Sequence, residues 1–329
     1  MAQVAVLGGG SWATALVKIL TENAVKVHWW LRNEQAAKHL RKYHHNPNYL
    51  SNVSINRRKV KIYTQLPKAL ASAQFVVVAI PAAFVPEALA KVQAADLEGK
   101  VMVSAVKGLI PQSQALITEH LTQYLQVPAE QTAVIAGPCH AEEVALEKQS
   151  FLTIASNSAT TATSFANLLN CRYIQTTTSQ DVLGIEYCAV MKNIIALTCG
   201  IAHGLNYGDN FQAVLVSNAL QEMSRLVAAL DPQPRDLSAS AYLGDLLVTA
   251  YSQFSRNRTF GNMIGRGYSV KSAQVEMNMV AEGYYAVQSI YQLNQKLQVN
   301  MPITTAAYQI LYENARPAPT IQQLIRNLV

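Results

Sequence analysis

The hydrophobic rhythm of the chain changes near its middle. From the start to about residue 180, short apolar, β-branched runs alternate with longer amphipathic stretches, a pattern that predicts parallel strands joined by crossover helices. The expected strands cover residues 3–7, 25–30, 75–79, 101–104, 133–136 and 152–155. They read as continuous apolar runs, as strands buried on both faces do. Beyond Asp181 such runs disappear, and helical periodicity takes over at 182–203, 211–229, 239–253, 279–297 and 302–313. The prolines of the loop 230–236, Pro232 and Pro234, separate two of these helices. An α/β domain over residues 1–184, followed by an all-α domain over 185–329, is therefore expected. The length agrees, because 329 residues exceed the roughly 250 to 300 at which single cores stop growing.

Composition narrows the class. Half of the residues are hydrophobic and 14% are charged, which excludes a disordered chain. A formal charge of +6 favours an acidic ligand but is ordinary for a folded protein. The densest basic cluster, Arg57-Arg58-Lys59 with Lys61, reads as a solvated loop, so no nucleic-acid partner is expected. The four cysteines, Cys139, Cys171, Cys188 and Cys199, form no CxxC pair, and the apolar run Val4 to Leu7 is too short for a signal peptide. A cytoplasmic location follows as the expectation. The most apolar stretch, 75–86, is broken by Pro81 and falls short of the ~20 residues of a membrane span; no membrane span is expected.

The first strand runs into Gly8-Gly9-Gly10-Ser11-Trp12-Ala13, with Gly8, Gly10 and Ala13 on the G-x-G-x-x-G/A spacing. The first glycine permits a tight turn. The second removes a Cβ where a pyrophosphate approaches backbone N–H groups, and the small third residue lets helix and strand pack closely. The following helix adds N–H donors and the positive end of its dipole. This strand–turn–helix order predicts a doubly wound, mostly parallel Rossmann domain holding a nicotinamide dinucleotide. At the end of the second strand, where an NAD-specific fold usually carries an acidic residue, stands Arg32. An arginine there either pairs with a 2′-phosphate, which tilts the cofactor towards NADP over NAD, or is a surface residue that accommodates either cofactor.

Further along, single residues carry the chemistry. Lys192 lies in an otherwise apolar helical run, 188–200; it either snorkels to the surface or sits in a cleft where desolvation lowers its pKa. Lys107 follows the strand 101–104, which puts it at the carboxyl edge of the sheet, as a ligand residue or as a loop cation. Asp245, in an apolar helical context, either caps or pairs structurally or meets a ligand. Ser255-Arg256-Asn257-Arg258 ends a helical stretch and runs into Gly261, Gly265 and Gly267, either a solvated basic turn or a phosphate site, since arginine forks match phosphate oxygens. His140 lies near Glu142 and Glu143 without a convincing ligand set, so no metal site is expected.

The glycine turn with Trp12, joined to Val106-Lys107-Gly108-Leu109, Ala136-Gly137-Pro138 with Ala141 and Glu142, Met191-Lys192-Asn193-Ile194-Ile195-Ala196, and Leu243-Gly244-Asp245-Leu246 followed by Ser255 to Arg258, resembles the bacterial NAD(P)-dependent glycerol-3-phosphate dehydrogenases over essentially the whole chain. The resemblance implies reversible reduction of dihydroxyacetone phosphate to sn-glycerol 3-phosphate for phospholipid synthesis. It makes Lys192 the general acid in reduction and base in oxidation. It assigns Lys107, Gly137, Cys139, Lys192, Asp245, Ser255, Arg256 and Asn257 to the substrate, the phosphate falling to Arg256 and Asn257 with help from Ser255. To the cofactor it assigns Gly8, Gly10, Ser11, Trp12, Arg32, Tyr49, Lys107, Ala141, Arg256, Val280 and Glu282. A homodimer is expected from the apolar helical half.

The pattern departs at Ala13, where the family usually has glycine, and at Cys139 and His140, where it has a small hydroxyl residue and an aromatic. The Cys139 thiol is the poorer hydrogen-bond partner. Asn218 stands where an arginine is usual. Two other readings compete: a related two-domain β-hydroxyacid dehydrogenase, whose substrate carboxylate would also suit Arg256, and a nicotinamide-binding sensor without turnover.

Overall fold

All six apolar runs of the first half form strands, because each is flanked by helices that cover both faces of one sheet. The computed structural model describes residues 3–23, 25–277 and 281–328. It divides into one unit of Met1–Val106 with Ala115–Val182 and a second of Lys107–Gln114 with Leu183–Val329. The segment 107–114, sequentially part of the first half, thus packs with the helical unit.

The first unit is an eight-stranded sheet of β1 (Gln3–Leu7), β2 (Lys26–Trp30), β3 (Val60–Tyr63), β4 (Phe75–Val78), β5 (Val101–Ser104), β6 (Thr132–Ala136), β7 (Ser150–Ala155) and β8 (Ile174–Ser179). Its order is β3-β2-β1-β4-β5-β6-β7-β8. Every pairing is parallel except β6 with β7, so the sheet is mostly parallel with one reversal. Two strands, β3 and β8, lie outside the sequence expectation. Both are edge strands and only partly buried, so neither needs the continuous apolar run that marks the centre. The strand order reverses at β1 and β4, the switch point at whose carboxyl ends ligands of open α/β sheets bind.

The Ser11–Glu22 helix buries Ala13, Leu16, Val17, Ile19 and Leu20 on this sheet. The basic cluster of residues 57–61 is not wholly a solvated loop. Lys59 donates from Nζ to the carbonyls of Thr21 and Asn23 at 2.6 and 3.0 Å, placing a cation on the negative end of that helix. Arg57 and Arg58 remain exposed.

The second unit is built on the Val182–Gly204 helix, which is long and apolar enough to cross a membrane by composition. Its most apolar window is 94% buried by the rest of the protein, so its apolarity serves a core. Around it stand Asp209–Leu230, Arg256–Gly265, Val270–Glu276, Glu282–Leu297, Pro302–Tyr312 and Pro317–Ile325. The helix expected over 239–253 is instead a π-helical turn, Ser240–Gly244, leading into a short helix, Asp245–Tyr251.

The segment after Ser255 corrects the sequence reading. It does not end a helix; it opens one, Arg256–Gly265, capped by the Ser255 hydroxyl, which accepts the Arg258 N–H. Gly261 and Gly265 look like breakers in the sequence, yet they pack against the core helix. A Cβ on Gly261 would lie 1.9 Å from the Leu197 carbonyl oxygen, and one on Gly200 would lie 2.1 Å from that of Arg258. The two helices cross backbone to backbone. Glycine is required there by space and not by flexibility.

Candidate active site

The turn between β1 and the Ser11–Glu22 helix is held by main-chain and ring bonds. Gly8 N–H donates to the Trp30 carbonyl at 3.0 Å, and the Trp29 indole donates to the Gly8 carbonyl at 2.6 Å. Gly8 has φ +126°, and a Cβ there would lie 2.3 Å from the Ala79 carbonyl oxygen. No other residue fits. Gly10 differs: a Cβ built on it meets nothing within 4 Å, and it stands at the N-terminus of the helix. This is a cradle of open space at a helix N-terminus with no acidic residue in its first turn, and it suits a pyrophosphate. Ser11 and Trp12 continue the turn as partly buried residues.

Arg32 follows β2 as the reading of that position requires. Its side chain is 68% exposed, 3.8 Å from Glu87, with its guanidinium over the Phe84 ring. Tyr49 is half-buried in the loop after the Glu34–Tyr43 helix. Its backbone N–H is bound by Asn46, a residue to which sequence reasoning gave no role. Gly137 follows β6 with φ +113°. Cys139 and Ala141 are buried in the core of the sheet unit. Val280 lies outside the described residues. Glu282 begins the Glu282–Leu297 helix.

The second unit gathers three ionisable residues that are 85 and 53 positions apart in sequence. Lys192 projects from the middle of the core helix, and its ammonium donates to the Asp245 carboxylate. The Lys107 ammonium stands 3.8 Å from the other carboxylate oxygen. Side-chain exposures of 4% for Lys192 and 2% for Asp245 decide between snorkelling and burial: Lys192 is buried. Burial draws its pKa down from the usual lysine value to about 7; Asp245 opposes that shift and Lys107 reinforces it. Two lysines around one carboxylate make a cluster of net positive charge in a low dielectric, suited to a developing alkoxide.

The local fold explains how the three meet. The π-helical turn Ser240–Gly244 sets Asp245 at the start of its helix, in keeping with the placement of π segments at functional sites. Asn193, next to Lys192, donates from Nδ2 to the Lys107 carbonyl at 2.8 Å and so ties the 107–114 segment to the core helix. The sequence offered no sign of that bond. Arg256 is the exposed first residue of its helix, with Ser255 and Asn257 buried on either side. The Asn257 side-chain Oδ1 accepts the Gly283 N–H at 2.9 Å, which links this helix start to the start of Glu282–Leu297. Asn218, which replaces the family's usual arginine, is buried and donates back to the Val214 carbonyl of its own helix.

A sheet unit with a dinucleotide-type turn, followed in the chain by a helical unit in which two lysines meet a buried carboxylate, points to the class of two-domain nicotinamide dehydrogenases. The fold is shared with the solved complex of D-mandelate dehydrogenase with NADH, at TM-score 0.64 and 12% identity over 95% of this chain and 98% of that one. Narrower matches set the family. The model of the NAD-dependent glycerol-3-phosphate dehydrogenase N-terminus matches residues 3–162, and that of the C-terminus matches residues 181–322. A glycerol-3-phosphate dehydrogenase [NAD(P)+] of Chlorobium limicola is 35% identical over 99% of this chain and 97% of its own. The crystal structure of glycerol-3-phosphate dehydrogenase from Coxiella burnetii superposes with TM-score 0.92 at 31% identity, covering 98% of both chains. The chain belongs to the NAD-dependent glycerol-3-phosphate dehydrogenase family.

Proposed function

We propose that the protein catalyses the reversible NAD(P)H-dependent reduction of dihydroxyacetone phosphate to sn-glycerol 3-phosphate, a precursor for glycerophospholipids. The observation that carries this reading is the buried Lys192–Asp245 pair with the Lys107 ammonium beside it in a chain of this family. When bound, the reduced nicotinamide supplies the hydride that the carbonyl carbon accepts. Lys192 gives its Nζ proton to the carbonyl oxygen as the C–O π pair moves onto that oxygen, and the neutral amine is reprotonated from solvent. In oxidation the amine takes the hydroxyl proton. Asp245 orients the ammonium, and Lys107 adds the positive charge that favours the alkoxide.

The substrate phosphate falls to Arg256 and Asn257, with Ser255 holding their helix start. The N-terminus of a ten-residue helix supports that role more strongly than the basic turn expected from sequence. Gly137 and Cys139 would address the substrate through main-chain groups. Gly8, Gly10, Ser11 and Trp12 form the pyrophosphate turn, with Arg32, Tyr49, Lys107, Ala141, Arg256, Val280 and Glu282 completing the cofactor's contacts. Arg32 in place of an acidic residue supports use of NADPH alongside NADH.

A homodimer in the cytoplasm completes the reading. It is supported by exposed Leu247, Tyr251, Phe254 and Val275 in the helical unit and by cysteines that are all unbridged. Oxidation of NADPH and NADH is to be followed with dihydroxyacetone phosphate, dihydroxyacetone and a panel of oxo acids. Strong preference for the phosphorylated ketone is the expected outcome; preference for an oxo acid would overturn the assignment.

A further inference from the structure

Asn46 is almost completely buried, at 1% exposure, in a loop that carries no catalytic chemistry, and it uses its whole hydrogen-bonding capacity there. Its Nδ2 donates to the Gly9 carbonyl at 3.0 Å and to the Thr14 hydroxyl at 2.8 Å. Its Oδ1 accepts the Asn48 and Tyr49 N–H groups at 3.0 and 3.3 Å. An amide has two donor hydrogens and two acceptor lone pairs, and each has a partner. The Thr14 hydroxyl passes the connection on by donating to the Gly10 carbonyl at 2.9 Å, which also accepts the Thr14 N–H at 3.0 Å.

The consequence concerns the peptide planes of the glycine turn. In a trans peptide the C=O and the next N–H point in opposite directions. Drawing the Gly9 carbonyl to Asn46 therefore turns the Gly10 N–H away from Asn46. Fixing the Gly10 carbonyl on Thr14 likewise turns the Ser11 N–H outward from the helix start. A turn of three glycines has wide conformational freedom, and few side chains of its own to restrict it. We infer that Asn46 is a positioning residue for the dinucleotide: through Gly9 and Thr14 it presets the N–H groups of Gly10 and Ser11 for a pyrophosphate, and it couples them to the loop bearing Tyr49.

This inference rests on the assignment of the Gly8–Gly10 turn to the dinucleotide, so the experiment separates the two. Dissociation constants for NADPH and for ADP-ribose, which carries the pyrophosphate without the nicotinamide, are measured by calorimetry on the parent, Asn46→Ala, Thr14→Val, the double variant and Gly10→Val. Asn46→Ala should raise both constants about tenfold or more, Thr14→Val by a smaller factor, and the double variant no further than Asn46→Ala, because the bonds form one chain. The dissociation constant should change more than kcat at saturating dinucleotide. Thr14→Val preserves side-chain volume and carries the test if Asn46→Ala is not recovered folded. A folded Asn46→Ala or Thr14→Val protein with a lower Tm and both constants within twofold of the parent would overturn the inference, since a purely structural bond does that. If Gly10→Val loses binding in the same series, the turn assignment survives that result; if Gly10→Val also binds normally, both fall.

Discussion

The sheet unit and the helical unit present polar chemistry in opposite ways. At Gly8–Gly10 the sheet unit offers main-chain donors, held by other main-chain and neutral amide groups and open to solvent at Gly10. In the helical unit, ionisable side chains from three separate segments meet, with Lys192 and Asp245 buried and Lys107 partly buried beside them. A main-chain site needs shape and tolerates the high dielectric of the surface. A proton-transfer site needs desolvation, and desolvation is what brings a lysine near neutrality. Holding a pyrophosphate on main-chain donors and moving a proton place contrary demands on burial, and the Gly8–Gly10 turn and the Lys192–Asp245 pair meet those demands in different units.

The sharpest way to break the comparison is Lys192→Met, which keeps the volume and removes the proton. Turnover should fall by about 10² to 10⁴, the usual range for a general acid, while the NADPH dissociation constant stays near that of the parent. Substantial residual turnover would take the acid out of the helical unit. Next comes Asp245→Asn, which leaves the buried Lys192, and Lys107 beside it, without their counter-charge. A loss of about 3 to 5 kcal/mol of stability is expected from breaking a buried pair, read by urea unfolding, whereas an equivalent change in the exposed Arg32–Glu87 pair should be nearly silent.

Arg256→Ala should lower kcat/KM for dihydroxyacetone phosphate about ten- to hundredfold, from the roughly 1.5 to 3 kcal/mol of a charge-assisted hydrogen bond. It should scarcely change the already poor rate with dihydroxyacetone. An equal loss on both substrates would remove the phosphate from that helix start. The smallest effect belongs to Arg32→Glu. Its side chain is exposed, and about a two- to fivefold shift from NADPH towards NADH is expected from a solvent-screened contact. Unchanged relative affinities would leave Arg32 without a part in cofactor choice.

How much of each region was legible in the sequence follows the same divide. The turn at Gly8 was legible because its requirement is local: strand, tight turn and helix are consecutive. The central strands were legible through their apolar runs, whereas edge strand β8, Ile-Gln-Thr-Thr-Thr-Ser, faces solvent and carries no such run. The start of the Arg256–Gly265 helix reads in sequence as an ending because Gly261 and Gly265 resemble breakers; their reason lies in Leu197 and Gly204 on another helix. The meeting of Lys107, Lys192 and Asp245 is wholly tertiary. Resemblance to the family named those residues, and nothing in their spacing foretold that Asn193 would hold Lys107 in reach. Asn46 escaped notice for a related reason, since a buried, fully bonded asparagine reads in sequence as one more turn residue before a proline.

Lys192 is a buried amine whose pKa burial draws down to about 7, and the pH dependence of kcat/KM for dihydroxyacetone phosphate at saturating NADPH tests its role as proton donor most directly. Reduction needs the protonated amine, so the rate should hold at lower pH and fall about tenfold per unit as pH rises through that value. Oxidation of sn-glycerol 3-phosphate needs the neutral amine and should rise over the same interval. A reduction profile that stays flat or climbs from about pH 6 to about pH 9 would contradict the assignment of Lys192 as the proton donor.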